Sequence, residues 1–208
     1  QARLAFGGIG VAFLLAAGTS AFLAQLPAPG TAPATAPAAA AGGQRIQRVM
    51  VVIDDTLPGA APRDSRALQA TLAGFRTELQ RAGFTVQEGR VPLLDEQQDN
   101  VRRSDAEIVQ LARRQPQAAF DAVVLLTTQV SIEFAIQSQA PYLRGKAVAL
   151  RGSDGRNLGT FDWVSPTRTT MPYACDRACI LENLAAEAPL AGTTLAANLV
   201  AGLNAGPR

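Results

Sequence analysis

The chain divides by hydropathy into three stretches. From Leu4 to Leu26 it reads LAFGGIGVAFLLAAGTSAFLAQL, apolar or small almost throughout and without a charge. A helix of roughly 23 such residues crosses a hydrocarbon layer of about 30 Å with some tilt. Arg3 stands just before it, and a basic flank of this kind leaves the amino terminus in the cytoplasm and the rest of the chain outside. The expectation is an uncleaved single-pass anchor over residues 1–26. The competing expectation is a cleaved signal peptide, but the run is longer than an ordinary h-region and no small-x-small site follows at once. Gly7, Gly8, Gly10, Ala17, Gly18 and Ala21 would let a second membrane helix approach, or are simply tolerated in a lone anchor. Residues 27–44, beginning PAPGTAPATAPAAAAGG, hold no aromatic or large aliphatic side chain and cannot repay the entropy of ordering. They predict an extended tether, reaching roughly 50 Å at about 3.1 Å per residue.

Residues 45–208 predict one globular domain. Val49 to Ile53 is a continuous apolar run ending in Asp54-Asp55 and then Pro58-Gly59, the pattern of a buried strand followed by a loop. Leu68, Leu72, Phe75 and Leu79 recur at helical spacing, with Asp64 or Ser65 as the cap and Gly83 at the stop. Phe84–Val86 is a short strand, and Ser104-Asp105-Ala106-Glu107 is a capping box that opens a second helix ending before Pro116. Asp121–Leu126 is another buried strand. It runs on through Val130, Ile132, Phe134 and Ile136, which alternate with polar residues. Lys146–Leu150 and Leu158–Trp163 flank Gly152-Ser153-Asp154-Gly155 as a hairpin. From Asp176 to Leu203 the chain is helical, with a break expected near Pro189 and Gly192 and with Leu195, Leu199 and Leu203 on one face. The order predicts an α/β or α+β fold: a mixed sheet with helices mainly on one face.

Chemistry-bearing residues are sparse. There is no histidine in the chain, which removes the usual general base and zinc ligand and every Ser/His or Cys/His nucleophile pair. With 19 basic and 17 acidic residues the net charge is only +2, so no nucleic-acid partner is expected. No strand-to-helix glycine loop is present to cradle phosphate. Arg102-Arg103 and Arg113-Arg114 suit a solvated face, and Tyr142 and Trp163 fit either core or interface. The candidates left are Asp54 and Asp55 at the end of the first strand, where α/β folds often place functional acids and where turn or dipole roles are also common. Glu133 joins them if carboxylates act on a glycan. Cys175 and Cys179, two cysteines in a chain that reads as exported, predict a disulfide pinning residues 166–173 to the last helical segment. No metal or cofactor is expected.

The element order, with "FDAVVLL" leading into "KAVALRGSDGRNLGTFDW", resembles the periplasmic fold of the TolB amino-terminal domain, CsgG, the FlgT middle domain and the lipoprotein activators of penicillin-binding proteins. Residues 153–159 take the place of that group's D-x-x-T-G-like turn, without its threonine. The resemblance spans residues 47–203. It implies a non-enzymatic protein that binds other envelope proteins or builds rings and pores, and it transfers no site residue. The expectation is therefore an inner-membrane-anchored periplasmic subunit of an envelope-spanning machine, such as a flagellar motor ring, a secretion system or a wall-synthesis complex. A tethered glycan-acting enzyme and a small-ligand sensor are the alternatives.

Overall fold

A computed structural model of the protein describes residues 46–116 and 119–205. The expected anchor at residues 1–26 and tether at residues 27–44 lie outside the described residues. Among the described residues no single helix is long and apolar enough to cross a membrane.

Among the described residues seven strands and four helices follow one another: β1 (Arg48–Ile53), α1 (Arg66–Arg81), β2 (Thr85–Gly89), β3 (Leu94–Asp95), β4 (Val101–Arg102), α2 (Asp105–Arg113), β5 (Ala122–Phe134), β6 (Gln139–Arg151), β7 (Asn157–Val164), α3 (Arg177–Leu184) and α4 (Ala188–Asn204). The main sheet has the order β2-β1-β5-β6-β7. β2, β1 and β5 run parallel, and β6 and β7 add antiparallel. The sheet is therefore mixed, as the sequence predicts. The small β3–β4 pair, joined by a 3-10 turn at Glu96–Gln98, has no counterpart in the sequence expectation. Two-residue strands carry no periodicity to detect.

The helices begin where side chains can satisfy their free N–H groups. The Leu68 N–H donates to Ser65 Oγ, and Ser104 and Glu107 close a reciprocal capping box. Gly83, at φ +89°, takes the left-handed conformation just past the end of α1. α1 and α4 cover the face of the sheet that carries Val49, Val51, Val124 and Leu126. α3 extends that layer toward Leu143 and the segment around Met171 and Cys175. α2 alone packs on the opposite face, against Met50, Val52, Val123 and Leu125. Helices thus lie mainly, but not wholly, on one side.

Two expectations need correction. The break in the carboxyl-terminal helix falls between Leu184 and Ala188, not at Pro189 and Gly192. Pro189 sits in the first turn of α4, where its missing N–H costs nothing. Gly192 lies inside α4 against α1, where an added Cβ would collide with the Thr71 carbonyl oxygen. α3 and α4 together have the composition of a span. They bend 63° to one another and bury Ile180, Leu184, Leu195 and Leu199 in the core. The second correction concerns β6, which starts at Gln139 rather than at Lys146 and makes a ladder of 13 residue pairs with β5. Ile136 is not part of a strand but of the turn that joins them.

Candidate interaction surface

In a sheet of this order, β1 and its neighbour β5 define the point where the chain leaves in opposite directions. Open α/β folds often bind ligands beyond the carboxyl ends of such strands. Here the chain fills that place itself. The Asp54 N–H donates to the Leu126 carbonyl, the Ala61 N–H to that of Thr128, and the Val130 N–H to that of Gly59. Residues 54–61 thereby line the side of β5 that β1 has left.

Both candidate acids are engaged within this segment. Asp54, only 4% exposed, accepts from the Thr56 N–H and hydroxyl through Oδ1 and from Arg102 through Oδ2 at 2.6 Å. Arg102 belongs to β4, so this ion pair docks the unforeseen hairpin onto the end of β1. Asp55 takes a two-point contact from Arg63 at 2.7 and 3.0 Å, which holds its carboxyl below the usual carboxylate range. Glu133 lies seven positions beyond Leu126 on β5, a separation of about 23 Å along the strand. Paired-carboxylate glycoside chemistry works at about 5–10 Å. The structure does not bring Glu133 to Asp54. Among the described residues no three acidic or cysteine side chains gather in a metal-binding group. A cavity of about 200 Å³ lies beside β2, lined by Met50, Gln87, Glu88, Gln115 and Pro116. It is smaller than the 300–1,000 Å³ usual for small-molecule sites.

The outer half of the β5–β6 hairpin is different. β1 ends level with Leu126, yet the hairpin continues eight further residue pairs to its turn. Its end carries Phe134 at 73% exposure and Ile136 at 97%. Tyr173, 51% exposed, stacks on Phe134 with ring centroids 6.4 Å apart, and its hydroxyl donates to the Ala135 carbonyl. Below them, Arg168 pairs with Glu133 at 3.3 Å and lies 3.7 Å over the Tyr142 ring. Tyr142, which fitted core or interface in the sequence, is thus a platform on the open face of the sheet, whereas Trp163 packs beside the core.

The segment from Ser165 to Cys175 is a strap along the free edge of β6. Gln139 and Met171 exchange backbone hydrogen bonds of 2.9 and 2.7 Å. The buried Gln139 amide also donates to the Pro172 and Cys175 carbonyls. Cys175 and Cys179 form the expected disulfide, with Cα atoms 5.3 Å apart. Cys175 precedes the cap Asp176 and Cys179 sits in the first turn of α3, so the bridge spans the helix start and not one helical turn. The surface built from Phe134, Ile136 and Tyr173 was not singled out from sequence. Its signal was the absence of charge over residues 134–143 and 169–175.

No family model matches the chain, and no curated protein matches it. Among solved structures it is similar to a lipoprotein from Neisseria meningitidis, at 14% identity and TM-score 0.35 over 67% of this chain and 93% of that one. It is also similar to a homologue of a neuraminyllactose-binding hemagglutinin from Helicobacter pylori, at 10% identity and TM-score 0.40 over 74% and 84%. A third is the PelC dodecamer from Paraburkholderia phytofirmans, at 14% identity and TM-score 0.36 over 76% and 88%. Nothing about the partners or ligands of this chain follows from such distant likeness.

Proposed function

We propose that the protein is a membrane-tethered periplasmic accessory subunit of a multi-subunit envelope assembly, such as a flagellar motor ring, a secretion system or a wall-synthesis complex, and that it works by protein–protein contact and not by catalysis. One observation carries this reading: the β5–β6 hairpin projects past the rest of the sheet and ends in exposed Phe134, Ile136 and Tyr173. Large apolar side chains grouped on a projecting element suit an interface better than a solvated tip. The carboxylates most suited to chemistry, Asp54 and Asp55, are instead tied to Arg102 and Arg63. The uncharged stretch at residues 4–26 and the Ala/Pro-rich stretch after it supply the tether in this reading.

The test is gentle detergent extraction of the full chain from its native membrane after crosslinking. A reproducible multi-protein complex is expected. Recovery as an uncrosslinked monomer, with no companion protein, overturns the proposal.

A further inference from the structure

We infer that the Cys175–Cys179 bridge is a reversible redox latch on the strap: a dithiol reductant opens it at Cys179, and its state sets whether Tyr173 is held on Phe134. The latch is independent of the accessory-subunit reading.

The two sulfurs stand in unlike surroundings. Cys175 is 8% exposed and packs in the cluster of Met171, Ile180, Leu181 and Leu184. Cys179 is exposed, in the first turn of α3. A thiolate arriving from solvent therefore reaches the Cys179 sulfur, and access of this kind separates a labile bridge from an inert one. The entering thiolate forms a new S–S bond to Cys179 as the bond to Cys175 breaks. The electron pair leaves on Cys175, which takes up a proton. The reductant's second thiolate then attacks its own first sulfur and expels Cys179, which is protonated in turn. The dithiol ends as a disulfide and the bridge as two thiols, and the reverse sequence closes the latch.

Both sulfurs have a partner waiting in the reduced state. Met171 Sδ lies 3.7 Å from Cys175 Sγ, within reach of an S–H donor, and the Asn183 amide lies 3.7 Å from Cys179 Sγ, which it can serve as a donor. The buried thiol is thus spared the cost of an unpaired polar group. Nor does the start of α3 depend on the bridge. Asp176 caps it by accepting from the Cys179 N–H at 2.9 Å, and Arg177 donates to the Ala60 carbonyl at 2.5 Å.

Opening frees one short piece of chain. Upstream, Ser165 and Thr167 stay hydrogen-bonded to Glu187, and Met171 stays paired with Gln139. Downstream, Ile180, Leu181 and Leu184 keep α3 in the core. Between them, residues 172–176 are left with non-covalent contacts, among them the Gln139 amide on the Pro172 and Cys175 carbonyls and the Tyr173 hydroxyl on the Ala135 carbonyl. Surface segments held by few hydrogen bonds open first, and Tyr173 with its stacking on Phe134 lies within this one.

The experiment uses the full chain in detergent, with fluorotyrosine incorporated at its 2 tyrosines, Tyr142 and Tyr173. Dithiothreitol should reduce the bridge in the absence of urea, at a rate that urea below the unfolding transition does not change. Glutathione, a monothiol whose exchange stops at the mixed disulfide, should be found by mass spectrometry on Cys179 in about tenfold excess over Cys175. In fluorine NMR, reduction should move and narrow the Tyr173 resonance and leave that of Tyr142, assigned with Tyr142→Phe, in place. Oxidised glutathione should restore the first spectrum. Reduction that proceeds only through urea unfolding would overturn the latch and make the bridge a structural staple. Glutathione spread equally over both cysteines would overturn entry at Cys179. A Tyr173 resonance unmoved after full reduction, or a reduced chain that unfolds throughout, would each overturn the latch. None of these results alters whether the chain crosslinks into an envelope complex, so the accessory-subunit reading stands or falls separately.

Discussion

At the scale of single residues, the two ends of β1 are fixed by buried carboxylates with specific donors, Asp121 at its start and Asp54 at its end. Asp121, just before β5, accepts from the Gln47 and Arg48 N–H groups and from the Arg48 guanidinium, which ties the first described residues to the sheet. The Arg48 hydrogen bond is the main cause of a carboxyl held below its ordinary range, helped by the two backbone donors and opposed by partial burial. A carboxyl whose pKa is depressed on folding adds stability above its unfolded value, and that stability is lost as the pH falls through the folded value. Asp121→Asn should therefore lower unfolding free energy by about 1 kcal/mol near neutrality, kept small by the solvent around Arg48. The difference between variant and parent should close as the pH falls below about 4. Urea unfolding followed at a series of pH values checks both points. A gap that persisted at low pH would assign the effect to packing.

The same scale shows what sequence could reveal of the acids. VVIDD correctly marked a strand end, but which donors its carboxylates meet depended on Arg102, 48 residues away in a hairpin too short to have a periodicity. Arg63, eight residues on, was within reach of local inspection, yet nothing in its spacing chose Asp55 over solvent. Cys175 and Cys179 were legible because an even pair in a chain that reads as exported has few other fates.

At the scale of elements, caps and periods were informative. Ser65, Ser104 and Gly83 mark helix ends by satisfying or releasing backbone groups locally, and local chemistry is what a sequence displays. The break before α4 was misplaced because Pro189 and Gly192 look like breakers. One occupies a permitted first-turn position, and the other is there for close approach to α1. From this follows a test. Gly192→Ala would gain up to about 1 kcal/mol in helix propensity. Its Cβ, however, would press on the Thr71 carbonyl and the Phe75 nitrogen, so a net loss of about 1–3 kcal/mol is expected in thermal or urea unfolding. An unchanged or raised stability would show that α1 and α4 can separate freely.

The outer half of β6 was missed for a related reason. Gln139-Ala140-Pro141 reads as a loop, since proline cannot donate within a ladder. In the structure the Gln139 N–H points outward to Met171, and Pro141, two residues on, turns its missing donor to that same outer side. β7 has ended by then, at Val164 opposite Arg144. The ladder with β5 therefore loses nothing.

At the scale of the whole molecule, the strap and its disulfide connect the helical layer to the hairpin end. The loop closed by Cys175 and Cys179 is only a few residues long, so its effect on the unfolded chain amounts to about 2 kcal/mol. The double variant Cys175→Ser, Cys179→Ser should thus remain folded, with a modest fall in melting temperature. Limited proteolysis should now cut residues 166–176 while leaving the sheet intact, because the strap loses its covalent tie to α3 and keeps only non-covalent contacts through Gln139, Arg168, Met171 and Tyr173. Cleavage spread through the domain would mean that the bridge holds the core itself.

The course of β5 has a mechanical consequence. Its thirteen residues run unbroken from the side where the described chain enters to the exposed hairpin end. β1, the first strand of the domain, lies parallel along its inner half. A pull between the entry and the hairpin end would act along the strands and across their ladders. The β1–β5 hydrogen bonds would then share the load in shear, instead of opening one after another from an edge. Along this direction the domain would resist unfolding more strongly than under a pull that peels the sheet from an edge.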